Sequence, residues 1–427
     1  MKKSVSLIFL NYLRYLARLQ LAKISWLQKN RGRDFKIVGI TGSAGKTSTL
    51  LACEAALTPD FKIKTNYGGN SQSGIPLNIL GLKTSGFSFT DWLKIALVAP
   101  LKLLTDWNSY DVYLVEMGID GPDQPDNMSY LLKILRPDIG IFLNVNPVHS
   151  QAFDKTVPQS FQGASRLQKI LGNIAKEKAR LILSLPSSGT AILNPDDPYV
   201  MKSSLKTRAN ILLIHPQDTQ SINLRDHVFP EVFRQSLSAA LFTALSLGIP
   251  ENRAVKNIET HLHFPPSRST LFKGIDNSLI IDSSYNSSPD AAADMLRLLS
   301  TYPSPRLAVL GDMRELGLQS ASAHQSLYKQ ALKSADIIIG VGPETQQYFG
   351  PKAHTFQFWW QAADYLKNNF KPHSTILVKG SQNTIFLEEL IKNILLDPRD
   401  ASRLCRQSPY WLKTKKIFYN KNHQSGN

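Results

Sequence analysis

Residues 39–49 read Gly39-Ile40-Thr41-Gly42-Ser43-Ala44-Gly45-Lys46-Thr47-Ser48-Thr49. An apolar run (Ile37, Val38, Ile40) leads into this stretch and a helix-like segment follows it. Its three glycines let the backbone wrap closely around an anion, so that successive N–H groups can point at phosphate oxygens. The helix that follows adds its positive N-terminal end. Lys46 can neutralise phosphate charge, and the hydroxyl of Thr47 or Ser48 can ligate Mg²⁺. Ile40 stands where the general nucleotide loop G-x-x-x-x-G-K-[ST] carries its first glycine. Strand, Gly-Lys-Thr turn and helix in that order predict a nucleotide site inside an α/β domain.

The chain has 427 residues, 42% hydrophobic and 19% charged, which suits a globular protein of two or three domains. Cys53 and Cys405 are its only cysteines, so a disulfide framework or Cys-rich metal site is excluded and a reducing compartment is expected. The formal charge of +16 is carried by the ends. Residues 1–36 hold nine Lys/Arg against Asp34, and residues 398–427 hold seven against Asp400. A nucleic-acid channel needs basic residues through the folded body, so no nucleic-acid partner is expected.

From Leu7 to Leu27 apolar groups (Leu10, Leu13, Leu16, Leu21, Trp26) alternate with Arg14, Arg18 and Lys23. No uncharged run is long enough to cross a bilayer, and no cleavage site follows a clean apolar core. A basic amphipathic helix over 1–30 lying on anionic lipid is one expectation, and a helix packed on the protein's own surface is the other. Residues 89–107 form a second apolar stretch, with Trp92, Lys94, Lys102 and Trp107. Tyr410, Trp411, Phe418 and Tyr419 lie in the basic C-terminal stretch. The location expected is the cytoplasm, with peripheral contact to the inner face of the membrane.

Between these ends, short apolar runs at 37–40, 111–115, 139–143, 181–183, 190–193 and 211–214 read as strands. Segments 44–57 and 160–180 read as helices. That rhythm predicts a mostly parallel, doubly wound sheet. Helices over 232–247 and on to 262 precede a hinge at Phe264-Pro265-Pro266-Ser267, after which strands near 278–282, 306–310, 336–341 and 375–378 restart the pattern. The expected segments are 1–35 (basic amphipathic), 36–263 (central), 264–396 (C-terminal) and 397–427 (basic tail).

Chemistry-bearing residues fall at strand ends, where open α/β sheets place their sites. Glu116-Met117-Gly118 follows one strand, and a carboxylate there is a natural Mg²⁺ ligand. Asn144 to His149 follow the next, with His149 a candidate for a metal or phosphate contact. Asn173 to Lys178 end a helix, and Asn194-Pro195-Asp196-Asp197 follow a strand. Asp282 to Pro289, Leu310 to Gly317 and Lys379-Gly380-Ser381 complete the series.

In this order the motifs resemble the Mur ligase family, and within it the branch that adds D-alanyl-D-alanine. Thr41–Ser48 is similar to the family's T-G-[ST]-x-G-K-[ST]-[ST], and Leu310–Gly317 matches L-G-D-M-x-E-L-G in full. Glu116–Gly118, His149, Asn194–Asp197, Asp282–Pro289, Lys379–Ser381 and Asn70–Pro76 fall where the family has its other signatures. Ser283, Ser288 and Gln72 depart from the usual Asp, Asn and Glu.

The resemblance implies a central phosphate-loop sheet domain, then a smaller Rossmann-like α/β domain, with a short amphipathic N-terminal helix in place of the family's uridine-binding domain. It implies an ADP-forming peptide ligase with ATP and Mg²⁺ as cofactors. The substrates would be UDP-MurNAc-tripeptide and D-Ala-D-Ala, joined by a monomer through an acyl phosphate. Thr41, Gly42, Ser43, Ala44, Gly45, Lys46, Thr47 and Ser48 would bind ATP, with Arg268, Tyr285 and Asn286 from the following domain. Thr47, Glu116 and His149 would hold metal. Lys178 as a carbamate would join them, Lys176 being the nearby alternative. Lys46, Lys178 and His149 form the catalytic set, and Asn70, Gln72, Asp312, Lys379 and Ser381 the substrate contacts. Alternatives are a Mur-type ligase for a lipid-linked or other non-UDP acceptor, a folylpolyglutamate-synthetase-like ligase and a non-catalytic nucleotide-binding scaffold. Intact Lys46, Thr47, Glu116, His149 and Lys178 speak against the last.

Overall fold

The structure is a computed structural model and describes residues 2–83, 89–147, 150–224, 226–264, 266–314, 316–369, 371–380 and 384–423. Two units emerge, one of Met1–Asn223 with Phe233–Leu262, the other of Leu224–Val232 with His263–Asn427.

The first unit is built on a six-stranded sheet in the order β2-β3-β1-β4-β5-β6. Its strands are β1 (Lys36–Thr41), β2 (Ile63–Thr65), β3 (Val112–Glu116), β4 (Ile139–Phe142), β5 (Thr190–Leu193) and β6 (Asn210–Leu213), all parallel. Near-continuous apolar sequence in β1, β3 and β4 follows from burial on both faces, as parallel sheets require. The helices are α1 (Lys2–Asn30), α2 (Lys46–Leu57), α3 (Gly74–Ile79), α4 (Phe89–Thr105), α5 (Met128–Leu131), α6 (Ser150–Asp154), α7 (Gly163–Leu183), α8 (Pro198–Ser204), α9 (Glu231–Ser246) and α10 (Glu251–His261).

The run 181–183, expected as a strand, is instead the last turn of α7. Leu181 and Ile182 continue a buried row with Ile170, Ile174 and Lys178, a spacing that belongs to a helix face. Gly39 lies beneath that row. A Cβ there would stand 2.8 Å from Leu181 Cδ1, so this glycine serves helix-on-strand packing. α1 is a full 29-residue helix, and Leu10, Leu13, Leu16, Ala17, Leu21 and Ile24 bury one side of it in the unit's own core.

The second unit has a sheet ordered β11-β10-β9-β12-β8-β7. β7 (Thr270–Lys273) is antiparallel to β8 (Leu279–Ser283). β9 (Arg306–Gly311), β10 (Ile337–Val341), β11 (Ala353–Phe356) and β12 (Thr375–Lys379) are parallel to their neighbours. α11 (Pro289–Ser300), α12 (Ser320–Ser334), α13 (Pro343–Tyr348), α14 (Trp359–Asn369), α15 (Leu387–Lys392) and α16 (Pro409–His423) complete it. The basic end is folded into this unit. Buried Lys415 on α16 pairs with Glu388 and Glu389 of α15, and the α16 rings of Phe418 and Tyr419 pack on Trp360.

Candidate active site

β1 is the central strand at which the chain's progress across the first sheet reverses, the usual place for a ligand crevice. Register sets Ile40 beside Glu116 and Thr41 beside Phe142, so the loop after β1 emerges between the ends of β3 and β4. Gly45 begins α2 in the left-handed region at φ 84°, which a residue with a Cβ adopts only with strain. Among the described residues no side chain caps this helix end. The first N–H groups of α2 have no intrahelical partner, and they carry the positive end of its dipole.

Two lysines converge on one loop carbonyl. Lys46 Nζ donates to Gly42 O at 2.8 Å, and Lys178 Nζ, from α7, donates to the same oxygen at 3.1 Å. Lys178 is only 4% exposed. Burial lowers its pKa to about 7, nearby Lys46 pushes the same way, and Asp120 opposes. Burial also lowers Lys46, against the attraction of Glu116 and Asp120. These lysines, Asn70, Gly118 and Asp120 line a small cleft beside Gly42 and Ser43. Lys176, two residues from Lys178, is exposed and lines a different groove.

Several other expected site residues are held by bonds within the protein. The N–H groups of Ser43 and Ala44 already have a partner within the protein. They donate to the Asn144 side-chain oxygen at 3.1 and 2.9 Å, and Asn144 Nδ2 returns a bond to Ala44 O. Thr41 is fully buried and its hydroxyl donates to Met117 O, so its side chain holds the loop to β3. Thr47 is exposed and Ser48 half-buried. Asn194 and Asp197 are braces. Asn194 Nδ2 donates to Leu143 O, while Asp197 accepts from Val145 N and caps α8. Gln72 is bonded to Asp126. His149 and Ser381 lie outside the described residues.

In the second unit Arg268 stacks over the Tyr285 ring at 4.8 Å, and Arg406 lies 5.5 Å from that ring and donates to Tyr285 O. Asn286 is exposed. Lys379 and Asp312, expected at substrate, both turn inward. Lys379 Nζ donates to Ser283 O and Asn286 O, tying down the turn after β8, and burial lowers it to about 7. Asp312 is 2% exposed and accepts from Thr345 N and Glu344 N, capping α13. His324 Nε2 accepts from Met313 N and braces the same loop.

Sequence alone missed Asp120, Asn144 and Arg406. Asp120 lies four residues past Glu116 in a loop without a motif of its own. Asn144 is inside a noted strand end, but nothing local shows that it reaches residues one hundred positions away. Arg406 lies in the basic C-terminal stretch, where nothing local shows that it reaches Tyr285.

The Mur ligase middle domain model matches residues 40–257, and the model for the Mur ligase glutamate ligase domain matches 267–382. The chain belongs to the Mur ligase family. A UDP-N-acetylmuramoyl-tripeptide–D-alanyl-D-alanine ligase of Buchnera aphidicola is 27% identical over 407 residues, covering 86% of this chain and 78% of the relative. The enzyme of the same name from Escherichia coli is 23% identical over 388 residues, covering 84% and 76%. Among solved structures, a MurF ligase from Thermotoga maritima in complex with ADP shares the Mur ligase fold with TM-score 0.60 and 20% identity, covering 90% of this chain and 83% of that one. A bifunctional folylpolyglutamate synthase/dihydrofolate synthase of Yersinia pestis is similar at TM-score 0.52.

Proposed function

We propose that this Mur ligase family member is an ATP-dependent, ADP-forming ligase that joins D-Ala-D-Ala to the free carboxylate of UDP-MurNAc-tripeptide. The observation that carries the reading is the meeting of Lys46 and Lys178 at the uncapped start of α2, beside Glu116 and Asp120. A carboxylate oxygen attacks the γ-phosphorus and the bond to ADP breaks. The amine nitrogen then attacks the acyl carbon, phosphate leaves with the bonding electrons, and the amine loses a proton. The charge that builds on the transferring phosphoryl group is met by Lys46 and the α2 N–H groups.

The donor set suits Mg²⁺. Among the described residues no three His, Cys, Asp or Glu come together, and Mg²⁺ needs only one or two carboxylates beside phosphate and water. Glu116, the Thr47 hydroxyl and a carbamate on Lys178 would hold it, with His149 as a further ligand. Bound there, the ion supplies Lewis-acid neutralisation of phosphate charge. Arg268, Tyr285 and Asn286 are proposed nucleotide contacts, and Asn70 a contact of the acceptor. Residues 1–30 are further proposed to touch an anionic membrane surface.

The test is ADP release with ATP, UDP-MurNAc-tripeptide and D-Ala-D-Ala together. Release that needs all three, and that falls by about 10²–10³-fold in Lys46→Ala, is expected. Release independent of the peptide substrates contradicts the reading.

A further inference from the structure

α4 buries Ile95 and Ala99 against Leu13, Leu16, Leu77 and Leu80. On its other side stand Leu93, Leu97, Leu101 and Leu104, spaced four, four and three apart, which places them on one helical face. Each is more than half exposed, as is Trp107 just past the helix end. α1 repeats the arrangement. Opposite its buried side, Ile8, Tyr15, Leu19 and Trp26 recur at seven, four and seven residues and form an exposed row.

The two rows look out on the same side. α1 meets α4 through Phe9 against Trp92 at 5.2 Å, the Tyr12 hydroxyl on Ala96 O at 2.9 Å and Lys23 Nζ on Asp106 O at 2.6 Å. On each helix these seam residues lie between the buried side and the exposed row. The rows therefore flank one seam and point away from the core. Lys23 also lies 4.8 Å from the Trp107 ring centre, holding that indole at the edge of the surface.

Singly exposed apolar residues are ordinary, but nine aligned on two adjoining helices mark an interaction surface. Charge identifies what it meets. Arg18 and Lys29 on α1 and Lys94 and Lys102 on α4 are exposed, α1 contains no acidic residue, and Asp91 is the one acid within α4. A second copy would set these cations against each other. Headgroup phosphates complement them, and Trp favours that interface. Among the described residues no helix is long and apolar enough to cross a membrane, which leaves lying in the surface.

We infer that α1 and α4 form one lipid-facing surface, with the α4 leucines and Trp107 entering the headgroup–acyl boundary of an anionic membrane. This rests on the reading that residues 1–30 touch such a membrane, and makes α4 the inserting half. The full chain is sedimented with vesicles of phosphatidylcholine, with and without phosphatidylglycerol. Binding only to the phosphatidylglycerol vesicles is expected. A Leu97→Glu/Leu101→Glu double variant with unchanged thermal unfolding should lower partitioning at least about tenfold. Lys94→Gln/Lys102→Gln should lower it roughly tenfold, most strongly at low salt. Wild-type protein that ignores both vesicles overturns the membrane reading and this inference together. If the leucine variant binds normally while Tyr15→Glu/Trp26→Glu does not, the membrane reading stands and the role of α4 falls. Self-association without vesicle binding, abolished by the leucine variant, overturns the inference in favour of a second copy.

Discussion

Lys46 and Lys178 share one acceptor, the carbonyl oxygen of Gly42, and two ammonium groups that close cannot both keep full charge in a buried place. Lys178 is the more buried and its pKa falls to about 7, so its neutral amine is well populated near neutrality. A neutral amine adds carbon dioxide to form a carbamate, exchanging a cation for an oxygen ligand. With ¹³C-labelled bicarbonate, a carbamate carbon resonance is expected in the wild type and in Lys176→Ala, and its absence in Lys178→Ala. A resonance that survives Lys178→Ala shows the assignment to be wrong. Asn144 makes a second prediction. Removing its side chain frees the N–H groups of Ser43 and Ala44, so Asn144→Ala should cost about 1–2 kcal/mol in thermal unfolding and raise the KM for ATP. The sequence made Lys46 and Glu116 legible because each follows an apolar strand with its chemistry in view. Asp120, Asn144 and the inward turns of Lys379 and Asp312 were hidden because they depend on which distant backbone groups the fold brings near.

At the scale of elements, the phosphate loop is legible because its glycines and the helix that follows are contiguous. α2 is anchored from far away, by Thr49 bonding Ser236 at 2.9 Å, and no local pattern announces that pair. The run at 181–183 shows the opposite failure, since three apolar residues suit a strand as well as the last turn of a helix. α16 was missed as a packed helix because its charges resemble a solvated tail until their partners are known. Glu388 is fully buried between Arg406 and Lys415 at 3.3 and 3.5 Å. Glu388→Gln leaves those cations without their shared anion and should cost about 3 kcal/mol, read by calorimetry. Lys379 supplies the pH dependence. Its folded pKa is about 7 against the ordinary 10.5, so between these values the unfolded chain binds more protons than the folded one. Stability of the second unit should therefore rise with pH across that window, and Lys379→Met should flatten the rise. A fall in the wild type across the same window would contradict the burial of this amine.

At the scale of the whole molecule, two α/β units in chain order, each with its own six-stranded sheet, follow from the two runs of alternating strand and helix. Strands β2, β7 and β11 escaped because they are three or four residues long and lie at or near sheet edges. The net charge of +16 proved to be partly structural, spent on ion pairs within the second unit and arrayed on α1 in the first. The central claim is that the loop at Thr41–Ser48 activates a carboxylate for amide formation. The direct measurement is transfer of ¹⁸O from the labelled terminal carboxylate of UDP-MurNAc-tripeptide, with ATP and D-Ala-D-Ala, followed by mass spectrometry of the phosphate released. An acyl phosphate predicts one ¹⁸O atom in that phosphate and a pentapeptide product. Phosphate without label, its fourth oxygen drawn from unlabelled water, would contradict the account.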